Sequence, residues 1–168
     1  MLITDTHVYY YGKDDWPSNF HPVSFPIKVL NSTGYFMART GEHAFQMCKA
    51  ALFNDMVALE RILTASSPFE ALQLGRTIKG YSDPVWLERR ESAMRHVLRA
   101  KINSSTHLKR QALEFKGKCF VEASPRNQVW GVGLSVGNPD ITDPTKWRGT
   151  NLQGKSWNTV INELTRQG

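Results

Sequence analysis

Cysteine is scarce in this chain, and its two copies form no familiar motif. Only Cys48 and Cys119 occur among 168 residues, and no Cys-x-x-Cys pair is present. A disulfide framework or a zinc site needs more cysteines, or His and Cys ligands at closer spacing. We therefore expect two buried free thiols in a reducing compartment, and we predict neither a metal site nor a cofactor.

Long apolar runs are also missing. No stretch is long enough to span a bilayer, and the first residues do not combine a basic region with an apolar run, so we expect a cytoplasmic protein. The chain has no internal repeat, low-complexity tract or linker. These absences predict one domain over residues 1–168, which is long enough to bury a real core.

Acidic residues are outnumbered by basic ones. The chain has 21 Lys and Arg against 15 Asp and Glu, a formal net charge of +6. Such an excess favours a polyanionic partner, either a nucleic acid or a phosphorylated small molecule. A plain basic nucleic-acid-binding domain without a nucleotide pocket is one alternative that this charge leaves open.

Strand patterns lie at both ends of a helical middle, which predicts an α+β fold rather than a regular βαβ alternation. The predicted strands are 6–12, 24–30, 34–39, 118–123 and 129–134. The predicted helices are 40–51, 55–65, 69–79, a long one from 83 or 84 to 103, 106–115, and a last one from 151 or 156 to 166. Residues 137–149 are rich in Pro and Asp and predict a surface loop.

The central predicted helix carries a polar face. Glu42, Gln46 and Lys49 stand at i, i+4 and i+7, so a carboxylate, an amide and an ammonium share one side. Glu42 falls in the first turn after Thr40, where the helix dipole favours an ionised carboxylate. A solvent-exposed first-turn Glu is the alternative. We interpret the neighbouring His43 as structural, not as a base or ligand.

Three further clusters combine polar, aromatic and glycine residues. Residues 16–20 join Trp and Phe to Ser and Asn, and residues 122–133 set glycines beside Trp130, which permits close backbone approach to a ligand. Residues 149–154 form a small-residue turn before a helix, a geometry suited to phosphate. Taken singly, Trp130 and Trp86 are more typical of core aromatics than of stacking platforms.

The ordered combination of these motifs is more specific than any one of them. Ser18-Asn19-Phe20, Gly41-Glu42-His43-Ala44-Phe45-Gln46 with Lys49, Ala123-Ser124-Pro125 through Trp130-Gly131-Val132-Gly133, and Gly149-Thr150-Asn151-Leu152-Gln153-Gly154 occur in this order. The set resembles the NADAR family of YbiA-like N-glycosidases, over nearly the whole chain. The resemblance implies a single compact, mostly helical α+β domain with a few short strands.

The resemblance also implies a chemistry: hydrolysis of N-glycosidic bonds between a phosphorylated ribose and a base or amine. Family members are linked to riboflavin-pathway intermediates or to removal of ADP-ribose from guanine in nucleic acid. Glu42 is the first catalytic candidate, since a carboxylate stabilises an oxocarbenium-like state or activates water, and Glu122 is another. The implied ligand-binding residues are Ser18, Asn19, Phe20, Gly41, Gln46, Lys49, Trp130, Gly131, Gly133, Thr150 and Asn151.

One position departs from the family pattern. Where the motif Ala-Ser-Pro-x-Asp-x-x-Trp-Gly has Asp, this chain has Asn127. An amide can hold a water or a hydroxyl but cannot act as a base. If the usual Asp is the base, this chain is slow or inactive, and a non-catalytic ADP-ribose-binding module becomes the alternative. If Glu42 or Glu122 is the base, the chain remains an enzyme.

We therefore predict an N-glycosidase acting on an ADP-ribosyl or ribosyl-phosphate adduct, with ADP-ribosylated guanine in DNA or RNA preferred because of the net positive charge. Phosphoribosylamino-pyrimidine intermediates are the alternative substrates. No membrane partner is expected.

Overall fold

A computed structural model describes residues 1–167 as two compact units. The terminal unit joins Met1–Ser18 to the described part of Thr106–Gly168, and the central unit is Asn19–Ser105. Six α-helices and five short strands occur within the described residues, so the predicted α+β, mostly helical class is confirmed. The single-domain assignment of residues 1–168 stays a prediction.

The central unit is built around its first helix. A hairpin of β3 (Pro22–Ile27) and β4 (Phe36–Thr40) leads directly into α1 (Gly41–Leu52). The helices α2 (Met56–Leu63), α3 (Pro68–Gly75) and α4 (Asp83–Asn103) each pack against α1. Nine of the twelve α1 residues are buried as a result. This helix therefore presents side chains to a protein interior on most of its sides.

Capping explains where these helices begin. Thr40 has an extended backbone and its side chain accepts the His43 N–H, which satisfies one of the free donors of the first turn. The side chains of Asp55 and Ser67 likewise accept a first-turn N–H of α2 and α3. Pro84 lies in the first turn of α4, where a missing N–H costs no helical hydrogen bond.

The terminal unit packs helices beside a three-stranded sheet. The strand order is β1 (Leu2–Ile3), β2 (His7–Tyr10), β5 (Cys119–Glu122), with β1–β2 antiparallel and β2–β5 parallel. The helices are α5 (Thr106–Glu114) and α6 (Leu152–Gln167), and α6 lies against β5. Trp157 of α6 is fully buried, and its indole N–H donates to the Pro17 carbonyl at 2.9 Å.

Several sequence predictions are corrected. Residues 129–134 form no strand, because their carbonyls pair with the N–H groups of residues 148–153 in an irregular turn. The predicted helix over 69–79 ends at Gly75, and β1 was not predicted. Cys119 is exposed and Cys48 is half-buried, against the expectation of two buried thiols. The predicted surface loop contains a short 3-10 helix, Pro144–Lys146, and the buried Ile141.

Within residues 1–167, no helix is long and apolar enough to cross a membrane. Over the same residues, His, Cys, Asp and Glu side chains form no group of three that could hold a metal ion.

Candidate active site

Glu42 is a buried residue held by three hydrogen bonds, one to its backbone and two to its carboxylate. It is the one buried acidic residue among residues 1–167, and it is only 8% exposed. The backbone N–H of Glu42 donates to the Asn19 carbonyl at 2.9 Å, and Gln46 Nε2 donates to Glu42 Oε1 at 2.8 Å. The Asn19 side chain also hydrogen-bonds to the carboxylate. The solvent-exposed alternative for Glu42 is therefore wrong.

Burial sets the protonation of this carboxyl. Desolvation is the largest influence and raises the pKa of Glu42 above its ordinary value of 4.5, although Gln46, Asn19 and Lys49 each lower it. Burial therefore opposes the ionisation that a position at the helix terminus was expected to favour. A carboxylate with increased proton affinity is better matched to accepting a proton near neutral pH.

Lys49 is held at the other end of the same face. Its Nζ donates to the Gly75 carbonyl at 3.0 Å and lies 4.8 Å from the ring centre of Tyr81 and 5.4 Å from that of Trp86. Burial lowers the pKa of Lys49, while Glu42 raises it. We call Glu42, Gln46 and Lys49 the α1 polar face. It places a carboxylate and an ammonium at fixed positions in a largely apolar setting.

Gly41 brings the preceding loop close to this face. A Cβ at Gly41 would lie 2.5 Å from Asn19 Oδ1 and 3.1 Å from Asn19 Cα, so a larger residue would displace Asn19. Asn19 Nδ2 also contacts Met94 Sδ at 3.5 Å, which ties the loop to α4. Phe20 follows and is half-buried. Asn19 and Gly41, both predicted ligand contacts, thus help to seat the carboxylate.

His43 has a structural role, in agreement with its interpretation from sequence. Its Nδ1 lies 2.8 Å from Thr40 Oγ1 and its Nε2 lies 3.0 Å from the Ala65 carbonyl. Burial lowers the pKa of His43. A neutral ring that donates from Nε2 satisfies both contacts and leaves no nitrogen for catalysis.

A separate open cavity of about 470 Å³ lies in the central unit. It is lined by residues 28–32 and by α1 and α4 residues that include Cys48, Trp86 and His96, and its lining does not include Glu42. Burial raises the pKa of the Cys48 thiol to about 12, so this thiol is not a nucleophile.

In the terminal unit, Asn127 organises a turn. Its Oδ1 accepts the N–H of Val129 at 3.0 Å and of Trp130 at 2.8 Å. This is the usual use of an Asx side chain, which mimics a backbone carbonyl. An Asp oxygen would accept the same two bonds. The position that departs from the family pattern therefore holds a residue that shapes the backbone turn before Trp130. Trp130 itself is half-buried.

Residues 127–133 and 148–153 are bonded to each other through their backbones, and we call this pair of segments the glycine turn. A Cβ at Gly131 would lie 2.8 Å from the Glu122 carbonyl oxygen, and Gly133 has φ +73°. The N–H groups of Thr150 and Asn151 donate to the carbonyls of Gln128 and Gly131. Because these donors already have acceptors, the predicted phosphate contact there would need other groups.

Glu122, the second catalytic candidate, ends strand β5. Its backbone N–H donates to Asn151 Oδ1 at 3.0 Å, while Asn151 Nδ2 donates to the Phe120 carbonyl at 2.9 Å. Glu122 is half-buried. The pKa of Tyr10 is raised mainly by burial and, to a smaller extent, by the charge of Glu122.

The candidates thus fall into two sets. The central unit brings together Asn19, Gly41, Glu42, Gln46 and Lys49. The terminal unit contains Ser18, which is buried, with Glu122, Asn127, Trp130, Gly131, Gly133, Thr150 and Asn151. The sequence interpretation missed Gly75 and Tyr81, which contact Lys49, and favoured a core role for Trp86, whose ring also lies near Lys49. No local pattern could have found Gly75, since a glycine in the last turn of a helix gives no local sign of a contact with another helix.

Comparisons with known proteins give a family match over most of the chain. The family model described as the NADAR domain matches residues 9–165. N-glycosidase R617 of Acanthamoeba polyphaga mimivirus is 29% identical, with 90% of this chain and 92% of that protein covered. N-glycosidase YbiA of Escherichia coli strain K12 is 31% identical over 79% of each chain.

Two further relatives extend the comparison. The NMR structure of E. coli YbiA has a TM-score of 0.74 at 25% identity, covering 99% of this chain and 89% of that one. The riboflavin biosynthesis protein VVA0006 of Vibrio vulnificus is 27% identical over 78% of this chain, but only 34% of that protein is covered. The fold, the motif order and the family match lead to one conclusion: this chain belongs to the NADAR domain family.

Proposed function

We propose that this protein is an N-glycosidase in which Glu42 is the catalytic carboxylate. One observation carries the proposal: a buried carboxylate with a raised pKa, held by Gln46 and Asn19 on a helix that also carries Lys49. Two relatives bear the name N-glycosidase, which supports the same class of reaction.

The reaction has a simple balance. Water adds its oxygen to C1 of the ribose as the C1–N bond breaks, and the leaving nitrogen keeps the bonding electrons and takes a proton. The transition state resembles an oxocarbenium ion, so a nearby carboxylate stabilises it or accepts a proton from water. Glu42 supplies that carboxylate. Gln46 and Asn19 hold it in position, and Lys49 adds a fixed positive charge for the phosphorylated part of the substrate.

For the substrate, we propose an ADP-ribosyl adduct of guanine in nucleic acid. The net charge of +6 favours a polyanionic substrate. Basic side chains would add charge-assisted bonds to the diphosphate.

A phosphoribosylamino-pyrimidine is the second candidate substrate, and the name of the Vibrio vulnificus relative favours it. Incubation of the protein with ADP-ribosylated guanine DNA and, separately, with the pyrimidine intermediate distinguishes the two. We expect release of free ADP-ribose from the DNA substrate, with unmodified guanine left in the DNA, at the higher rate. No turnover of either substrate would contradict the enzyme proposal.

A non-catalytic ADP-ribose-binding module is the competing class, and Asn127 is the feature that favours it. However, the Asn127 oxygen accepts two backbone N–H groups, a task that Asn and Asp perform equally. We therefore expect wild-type protein and Asn127→Asp both to cleave the substrate. Calorimetric binding of ADP-ribose by both, with cleavage by the Asp form alone, would favour the binding module.

A further inference from the structure

Gly75, the last residue of α3, contacts the α1 polar face in two ways at once. Its carbonyl accepts the Lys49 Nζ donor at 3.0 Å. Its Cα faces the Gln46 side chain so closely that a Cβ at position 75 would overlap the amide Oε1 and Cδ and lie 3.1 Å from Cγ. The Gln46 amide therefore occupies the volume in which any other side chain at position 75 would begin.

The orientation of Gln46 depends on that free volume. Gln46 is 5% exposed, and its Oε1 has no hydrogen-bond partner among residues 1–167. Its Nε2 donates to Glu42 Oε1 at 2.8 Å. The Gln46 Nε2 atom is bonded to Glu42, and the Oε1 end of the same amide packs on Gly75. A side chain at position 75 would therefore displace the amide and move the Nε2 donor away from the Glu42 carboxylate.

We propose that Gly75 is a positioning residue for catalysis: its missing side chain lets Gln46 hold the Glu42 carboxylate, while its carbonyl holds Lys49. The catalytic part of this statement rests on the proposed function. The positioning part concerns the free protein and can be measured without substrate.

The consequence for Glu42 has a definite sign. Donation from Gln46 lowers the pKa of Glu42 against the larger opposing effect of burial. Losing that donor should raise the pKa further. Of the other charges near this face, Lys49 on α1 lowers the pKa of Glu42. Arg76 after α3 and Asp83 on α4 act on the pKa of Lys49, and Arg90 on α4 acts on that of Tyr81. Replacing Gly75 by Ala changes none of these charges.

The test compares Gly75→Ala with Gly34→Ala. Gly34 lies in the same unit, a Cβ there meets no atom within 4 Å, and neither glycine has a left-handed φ, so backbone strain is matched. Titration of the Glu42 carboxyl by carbon-detected NMR should show a higher pKa in Gly75→Ala and no change in Gly34→Ala. In activity assays, the acid limb of the pH profile should move to higher pH. On that limb kcat should fall about tenfold with KM little changed.

A second set of variants keeps the test valid if Gly75→Ala folds poorly. Gln46→Ala removes both the donor and the overlap, so it should raise the Glu42 pKa, and adding Gly75→Ala to it should cause no further change. An unchanged Glu42 pKa in folded Gly75→Ala would overturn the proposal. So would a double variant that fails to fold or titrates unlike Gln46→Ala. If Glu42 titrates as expected but no variant or wild type cleaves any substrate, positioning stands and the proposed function fails.

Discussion

The α1 polar face and the glycine turn use polar residues differently. On the α1 polar face, one side chain bonds to another, since Gln46 donates to Glu42, which is buried with a raised pKa, and Lys49 donates to the Gly75 carbonyl. In the glycine turn, side chains bond to backbone: Asn127 accepts from Trp130, and Asn151 bridges Glu122 and Phe120. The first region keeps a costly buried charge, whereas the second uses neutral amides to shape the chain. Because of this difference, we place the proposed chemistry in the first region.

The largest expected effect is on the α1 polar face. Glu42→Gln keeps the size of the side chain and one acceptor oxygen but removes the charge. Because that charge acts in the transition state, we expect kcat to fall by roughly a hundredfold or more. ADP-ribose affinity should change by no more than about tenfold. Steady-state kinetics with calorimetry measure both, and an equal loss in rate and affinity would assign Glu42 to binding alone.

The next effect should be on stability, in the glycine turn. A Cβ at Gly149 would overlap the Gly131 carbonyl oxygen and lie 2.7 Å from Gln128 Cα, so Gly149→Ala should destabilise the fold by about 2 kcal/mol. Gly137→Ala is the control, since a Cβ there meets nothing within 4 Å. Urea unfolding compares the two variants. Equal stability would mean that the two segments are not tightly held together.

A smaller, pH-dependent effect should again mark the α1 polar face. The pKa of Glu42 is raised in the folded protein, so its ionised form destabilises the fold above that pKa, and this cost disappears below the unfolded value of about 4.5. Glu42→Gln should therefore be more stable than wild type at neutral pH, with the advantage lost on acidification through that window. Thermal unfolding from pH 4 to 8 follows the difference. An advantage that grows in acid would have the wrong sign.

The smallest effect should come from Asn127→Asp. An Asp oxygen accepts the Val129 and Trp130 N–H groups as Asn does, so turnover should stay within roughly threefold of wild type. A large gain in turnover would instead give this position a catalytic role and would reverse the contrast between the two regions.

Local signals in the sequence predicted much of this structure. The two strands before α1, the helix that begins after Thr40 and the long helix from residue 83 or 84 depend on neighbours in the chain, and all were predicted correctly. The spacing also placed Glu42, Gln46 and Lys49 on one face.

What covers that face could not be predicted. The overlap volume at Gly75 and the burial of Glu42 depend on α3 and α4, which are distant in sequence. Residues 129–134 were predicted to form a strand because they include β-forming residues. Their backbone pairing with residues 148–153 has no local signal in the sequence.

The most direct test of the account compares Glu42→Gln with Glu122→Gln in single-turnover cleavage of ADP-ribosylated guanine DNA. Both changes remove one carboxylate charge and keep the side-chain length. We predict a loss of roughly a hundredfold or more for Glu42→Gln and a rate near wild type for Glu122→Gln. If Glu42→Gln cleaves as fast as wild type and Glu122→Gln does not, α1 is only a scaffold and the catalytic carboxylate belongs to the segment that begins at Glu122.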